Sequence, residues 1–136
     1  MGHPHLLRSA ERAWDHVRVI VCGSRGWDQY ERIAQRLDEL PLDGCEPLTI
    51  VHGAARGTDS LAERWAVENG VLTEPHPANW ARYGKSAGPR RNQQMLATGA
   101  RLVLAFRCSG ESRGTDHMIG LAQGWGVSVE VIGDTP

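Results

Sequence analysis

The chain repeats one plan three times: an apolar run, then a loop rich in glycine, hydroxyl and arginine. Residues 17–22 (VRVIVC) run into Gly23-Ser24-Arg25-Gly26-Trp27, residues 48–51 (LTIV) into His52-Gly53-Ala54-Ala55-Arg56-Gly57-Thr58-Asp59, and residues 102–106 (LVLAF) into Ser109-Gly110-Glu111-Ser112-Arg113-Gly114-Thr115-Asp116. Nearly continuous apolar runs are the habit of strands buried on both faces of a parallel sheet. In an open parallel sheet, ligands sit outside the carboxyl ends of the strands. Three such loops therefore predict one phosphate-rich pocket. The middle loop is the centre of the plan. Gly53 and Gly57 permit a tight turn and a close approach to a ligand. Thr58 or Asp59 can cap the helix-like run that follows, and the amides at a helix N-terminus attract anions. Arg56 adds a planar fork of donors suited to phosphate or carboxylate.

The remaining elements fall between these loops. Ile33, Leu37 and Leu40 form one stripe of an amphipathic helix, which Pro41 stops before an Asp43-Gly44 loop. Leu61, Ala62, Trp65 and Ala66 give the second helix its inward face, and Asn69-Gly70 ends it. Residues 71–74 read as a short third strand towards an edge of the sheet. Residues 75–89, with Pro75, Pro77, Pro89, Gly84 and Gly88, read as an irregular segment, and ordered loops of that length are often functional. A helix is expected over 90–98 with Pro89 in its first turn, then a strand over 101–106, a helix over 116–123 and a last strand over 127–132. Alternating strands and helices imply an α/β fold, a single Rossmann-like domain with a mostly parallel sheet of about five strands and helices on both faces. That domain spans 16–136. Residues 1–15 read as an N-terminal tail or short helix, with a helical turn over 8–14; His3 and His5, flanking Pro4, are surface residues or a weak metal site.

Composition narrows the partners. At 136 residues the chain has the length of one domain, and its 40% hydrophobic and 23% charged residues are ordinary for a soluble protein. A net charge of −1 advertises no overall field for nucleic acid or for an anionic membrane. Cys22, Cys45 and Cys108 share no CxxC spacing, so neither a disulfide framework nor a zinc knuckle is expected, and Cys22 reads as a small buried hydrophobe. With no apolar leader core and no stretch long enough to cross a bilayer, a soluble cytoplasmic protein is expected, without membrane partner, metal or cofactor.

Within the loops, Gly23, Ser24 and Arg25 end the first strand where a phosphate or ribose contact belongs. Trp27 either shapes the turn or stacks on a base. Gly53, Arg56, Gly57 and Thr58 carry the strongest ligand signal, and Asp59 is either a plain helix cap or a partner for ribose hydroxyls. His52 reads as a packed strand-end histidine. Ser112, Gly114 and Thr115, ahead of a helix, form a second phosphate cradle. Their spacing matches neither the Walker A pattern nor GxGxxG. Arg90, Arg91 and Asn92 open a helix where cations oppose the dipole, which makes sense beside a bound anion. Trp80 and Tyr83 offer an aromatic wall or core packing.

Taken together, Gly23-Ser24-Arg25, residues 52–59, Pro77-Ala78-Asn79-Trp80, residues 84–92 and Gly114-Thr115-Asp116 resemble the YspA-like (DUF2493) branch of the SLOG superfamily. The resemblance covers about residues 17–132. It implies a Rossmann-like domain that senses or processes a nucleotide or a nucleotide-derived, ADP-ribose-like ligand. It also implies a homodimer, an expectation that the five tryptophans make plausible. The related LOG enzymes cleave the N-glycosidic bond of nucleoside monophosphates through a PGGxGTxxE loop. In this chain Gly114-Thr115 is kept, but Met118 stands at the glutamate position. A thioether cannot exchange protons as a carboxylate can. Asp59, Glu111 and Asp116 are left as stand-ins, and Asp59 and Asp116 are the candidate catalytic residues of a nucleotide N-glycosidase. The fold of DprA in the same superfamily implies a third reading, single-stranded DNA binding, against which the net charge and the lack of an evident basic stripe speak.

Overall fold

Five strands, every one parallel to its neighbours, lie in the order β3-β2-β1-β4-β5. The computed structural model describes residues 17–40, 47–110 and 112–135. The first described element, β1 (Val17–Gly23), lies at the centre of the sheet and leads through α1 (Tyr30–Asp38) to β2 (Leu48–His52). The chain continues through α2 (Thr58–Glu68) to the edge strand β3 (Leu72–Pro75). A short α3 (Trp80–Tyr83), a 3-10 turn (Gly84–Ser86) and α4 (Ala87–Ala97) carry it back across the sheet to β4 (Leu102–Arg107). Then α5 (Arg113–Gly124) leads to the other edge, β5 (Ser128–Gly133).

The side-chain period of two along β1 divides the core into two layers. Val17, Val19 and Val21 face α1 and α2, meeting Ile33, Leu37, Ala62, Trp65 and Ala66. Ile20 and Cys22 face α4 and α5, meeting Met95, Leu96, Met118 and Ala122. Both faces are apolar because both are covered, as parallel crossovers require. Trp27 belongs to the first layer: it is 2% exposed and meets Phe106 edge-to-face at 5.4 Å. It packs in the core rather than offering a ring to a base. Cys22 is buried too, and burial pushes its thiol far above the usual range.

The α/β reading holds, with local departures. Residues 75–89 are not irregular throughout. Asn79 caps α3 by accepting the backbone N–H of Arg82 at 3.1 Å, Gly84 at φ 55° redirects the chain, and α4 starts at Ala87. Pro89 sits in the first turn of α4, where its missing N–H costs nothing. Helix α5 begins at Arg113, not at 116. The cap of α2 is neither Thr58 nor Asp59 but Gly57, at φ 75°. A Cβ there would stand 2.3 Å from the carbonyl oxygen of Arg25, so close packing of the first two loops also requires glycine. The expectations for 1–15, Pro41, the Asp43-Gly44 loop, Cys45 and Glu111 lie outside the described residues.

Candidate functional site

Ser24 ties the three loops together. Its carbonyl accepts the backbone N–H of Trp27 at 3.2 Å and both the backbone N–H (3.3 Å) and hydroxyl (3.1 Å) of Thr58. Its hydroxyl accepts the backbone N–H of Cys108 at 2.8 Å and shares a hydrogen bond with the Ser112 hydroxyl at 2.7 Å. Gly23 is squeezed at the same junction, since a Cβ would meet the Phe106 carbonyl at 2.2 Å and Thr58 Oγ1 at 2.4 Å. Gly23, Ser24 and Thr58 therefore hold the loops in register from beneath.

The middle loop turns its amides inward. The backbone N–H groups of Gly53 and Ala55 both donate to Asp59 Oδ2 at 3.1 Å, and that of Ala54 donates to His52 Nδ1 at 3.0 Å. With Nδ1 accepting, the His52 ring carries its proton on Nε2 and donates it to Glu63 Oε1 at 2.7 Å. This Glu63–His52–Ala54 chain holds Ala54 at φ 57°, an uncommon conformation for a residue with a Cβ. The Gly53 carbonyl accepts Arg91 Nη1 at 2.6 Å. Because a protein carboxylate and an imidazole already take these amides, attraction for an external anion falls to side-chain cations rather than to a backbone cradle.

Those cations converge. A cavity of about 460 Å³ lies over the ends of β1, β2 and β3, with Gly53, Ala54 and Ala55 along one side and Arg25, Arg56 and Arg91 around it. Pro77, Ala78 and Trp80 complete the lining, and Trp80 is 50% exposed. The arginines come from three separate segments: the loop after β1, the loop after β2, and α4. Among the described residues, neither Arg25 nor Arg56 forms a salt bridge, whereas Arg91 binds the Gly53 carbonyl and Asn92 Oδ1. Burial lowers the Arg91 pKa, Asp59 raises it and Arg25 lowers it again; a guanidinium nevertheless stays charged. Asp59 is 6% exposed, and burial raises its carboxyl pKa against the opposing pull of the Ala55 amide, His52, Arg91 and the Gly53 amide.

The third loop is joined to this site without lining it. Asn92, 3% exposed, donates through Nδ2 to the Gly114 carbonyl at 3.2 Å and is 3.0 Å from His117 Nδ1, so it clamps α4 to α5. Gly114 and Thr115 lie in the first turn of α5, away from the cavity's lining. Asp116 is held at the surface by a bidentate pair with Arg107, at 2.7 and 3.0 Å, which lowers its pKa. Met118 is fully buried against α4. Of the expected residues, Gly53, Arg25, Arg56 and Arg91 line the cavity, whereas Ser24, Thr58 and Asp59 hold the loops that carry it without lining it. Sequence reasoning did not single out Ala54, Ala55 or the Glu63 support. The Glu63–His52 pair spans two elements and has no local spacing to reveal it. Among the described residues there is no group of three His, Cys, Asp or Glu side chains placed to hold a metal, and no helix long and apolar enough to cross a membrane.

A wholly parallel Rossmann-like sheet, carrying an arginine-ringed cavity on the carboxyl side of its first three strands, is the class that fold and site define. The chain belongs to the YspA, cpYpsA-related SLOG family, whose profile matches residues 17–83. That stretch contains every lining residue of the cavity except Arg91. The chain is also similar to the Gene 61 protein of Mycobacterium phage D29, at 40% identity over 128 residues, covering 88% of this chain and 98% of that protein. Among solved structures it is similar to DNA processing protein A (DprA) from Streptococcus pneumoniae, with TM-score 0.49 and 20% identity, covering 88% of this chain but 60% of that one.

Proposed function

We propose that the chain binds a nucleotide-derived ligand carrying one or more phosphates, of the ADP-ribose type, in the cavity over β1 to β3. The convergence of Arg25, Arg56 and Arg91 on one cavity with the half-exposed Trp80 carries this reading. The cavity's 460 Å³ falls within the roughly 300–1,000 Å³ usual for small-molecule sites. Two arginines without a carboxylate partner, facing a third, repel one another until an anion arrives. A ring left half in water beside them is a surface on which a base can stack. Calorimetric titration with AMP, ADP, ADP-ribose, NAD and phosphate tests the reading. A nucleotide that binds the wild type and is lost in Arg56→Ala supports it, whereas no binding at millimolar ligand sinks it.

One observation favours a second reading, in which the site also cleaves an N-glycosidic bond. Burial holds Asp59 above the usual carboxylate range, as suits a general acid, and its carboxylate accepts the amides of Gly53 and Ala55, which line the cavity. Asp116, kept ionised by Arg107, suits that part less well. Release of free base from AMP, abolished in Asp59→Asn, would establish turnover, and its absence leaves a binding module. The proposal includes a cytoplasmic homodimer, for which the half-exposed Val131 of edge strand β5 and Trp125 just before that strand offer apolar surface. Light scattering reads the mass directly.

A further inference from the structure

One peptide group in the lining of the cavity is gripped at both ends. The plane between Gly53 and Ala54 presents its oxygen to Arg91 Nη1 at 2.6 Å and its N–H to His52 Nδ1 at 3.0 Å. The peptides on either side of it are fixed, because the N–H groups of Gly53 and Ala55 both donate to Asp59 Oδ2 at 3.1 Å. The middle plane can therefore turn over while its neighbours stay in place. Such a turn changes ψ of Gly53 and φ of Ala54 by half a revolution each. Gly53 has no side chain to oppose it. At Ala54 the turn takes φ from 57° to roughly −120°, out of the left-handed region and into the ordinary extended one. Of the two orientations, the one in place is the strained one, and the bonds to His52 and Arg91 hold it there.

We infer that this peptide is a two-position switch: a proton on His52 turns it over, and the turned form is the one that holds an anion in the cavity. The inference rests on the proposed binding function and adds its regulation. With Nδ1 protonated, two N–H groups would face each other across the 3.0 Å contact. The ring stays where it is, since its side chain is buried and Nε2 still donates to Glu63 Oε1 at 2.7 Å. The peptide moves instead, and its oxygen then accepts the new Nδ1 proton. That turn releases Arg91 from the Gly53 oxygen and brings the Ala54 N–H round to the side where Arg91 stood, so the cavity gains two free donors. Glu63 and Asp59, both on α2, favour the imidazolium, while Arg91 on α4 opposes it until an anion draws the guanidinium away. Past the end of β3, His76 gives its backbone N–H to the His52 carbonyl and its ring is engaged by Glu74. On β1, Cys22 stays a neutral thiol. Because proton and anion both favour the turned form, each strengthens the binding of the other.

Nuclear magnetic resonance on the full chain, with no ligand added, follows the His52 ring and the Ala54 amide between about pH 5 and about pH 8, the range in which histidines commonly change charge. The expected result is one transition shared by both, with the coupling between the Ala54 amide and Cα protons rising to that of an extended residue. Calorimetry with ADP-ribose, whose diphosphate bridge keeps its charge over that range, should show binding at least about fivefold tighter at the acidic end, with uptake of protons. In His52→Asn the side-chain oxygen can accept the Ala54 N–H as Nδ1 does but takes no proton, so affinity should not vary with pH. An Ala54 amide and coupling that stay unchanged across the range overturn the inference, and ADP-ribose binding in that case leaves the function of the cavity standing. Affinity that weakens towards acid, or that varies as much in His52→Asn as in the wild type, overturns it as well. Absence of ADP-ribose binding at both ends of the range overturns the inference together with the function on which it rests.

Discussion

Asp59 illustrates how one side chain can serve the fold and the site through opposite demands. Its carboxylate closes the 53–55 loop by accepting two amides, which favours the charged form, while burial favours the neutral one. Burial wins, and the pKa rises from 3.8. A raised native pKa means that the folded state holds the proton more tightly than the unfolded chain does. The associated stability is fully present below pH 3.8 and is lost as pH rises through the higher native value. Asp59→Asn keeps an oxygen for both amides and removes the titration. Urea unfolding across the acidic range should therefore give a shallower loss of stability with rising pH in the variant than in the wild type. At this scale the sequence was most legible where chemistry is local. Arg25, Arg56 and Arg91 were chosen for standing at strand ends or a helix start, and they meet around one cavity. Asn92 was chosen for the same reason, but its partners Gly114 and His117 are 22 and 25 residues away, so its clamp between two helices left no trace in the local pattern.

Among the elements, the strands were easiest to see, because a parallel strand buried on both faces is written as an unbroken apolar run. The 75–89 segment was the hardest. Its α3 has four residues, too few to display a helical period, and the flanking prolines and glycines punctuate it as a loop would be punctuated. The signal that was present is Asn79, a good N-cap residue one place before the helix. Asn79→Ala should cost about 1 kcal/mol or less in so short a helix, visible as a small drop in the urea midpoint. Its larger effect should be on ADP-ribose affinity, because the first residue of the freed helix is Trp80, the cavity wall. Calorimetry on the variant separates the two effects.

Across the whole molecule, the order β3-β2-β1-β4-β5 puts the reversal of direction between β1 and β4, where open sheets usually keep their ligand crevice. Here that junction is closed by Ser24 with Cys108 and Ser112, and the cavity opens to one side over β1, β2 and β3. The three strand-end loops were legible as a group, but which two would share a cavity depended on side-chain bonds that only the assembled sheet supplies. The same layering decides the fate of position 118. Met118 is fully exhausted as a core residue between α4, α5 and the sheet. Restoring a carboxylate there by Met118→Glu would bury an unpaired charge and should destabilise the fold by about 3 kcal/mol or more. A large fall in melting temperature without gain of base release from AMP is the expected outcome.

The central position of the first strand has a consequence for how the chain matures as it is made. β1 emerges early and finds β2, α1 and α2 among its near successors, yet its other flank must wait for β4, where Val19 meets Leu102. Until α4 and α5 have been synthesised, Ile20, Cys22 and Val51 present a naked apolar face. A nascent chain stalled after β3 is thus half a sheet with one oily side open, a natural client for a chaperone. Because Val19 and Leu102 stand far apart in sequence, the pairing of β1 with β4 is the slow step in completing the sheet.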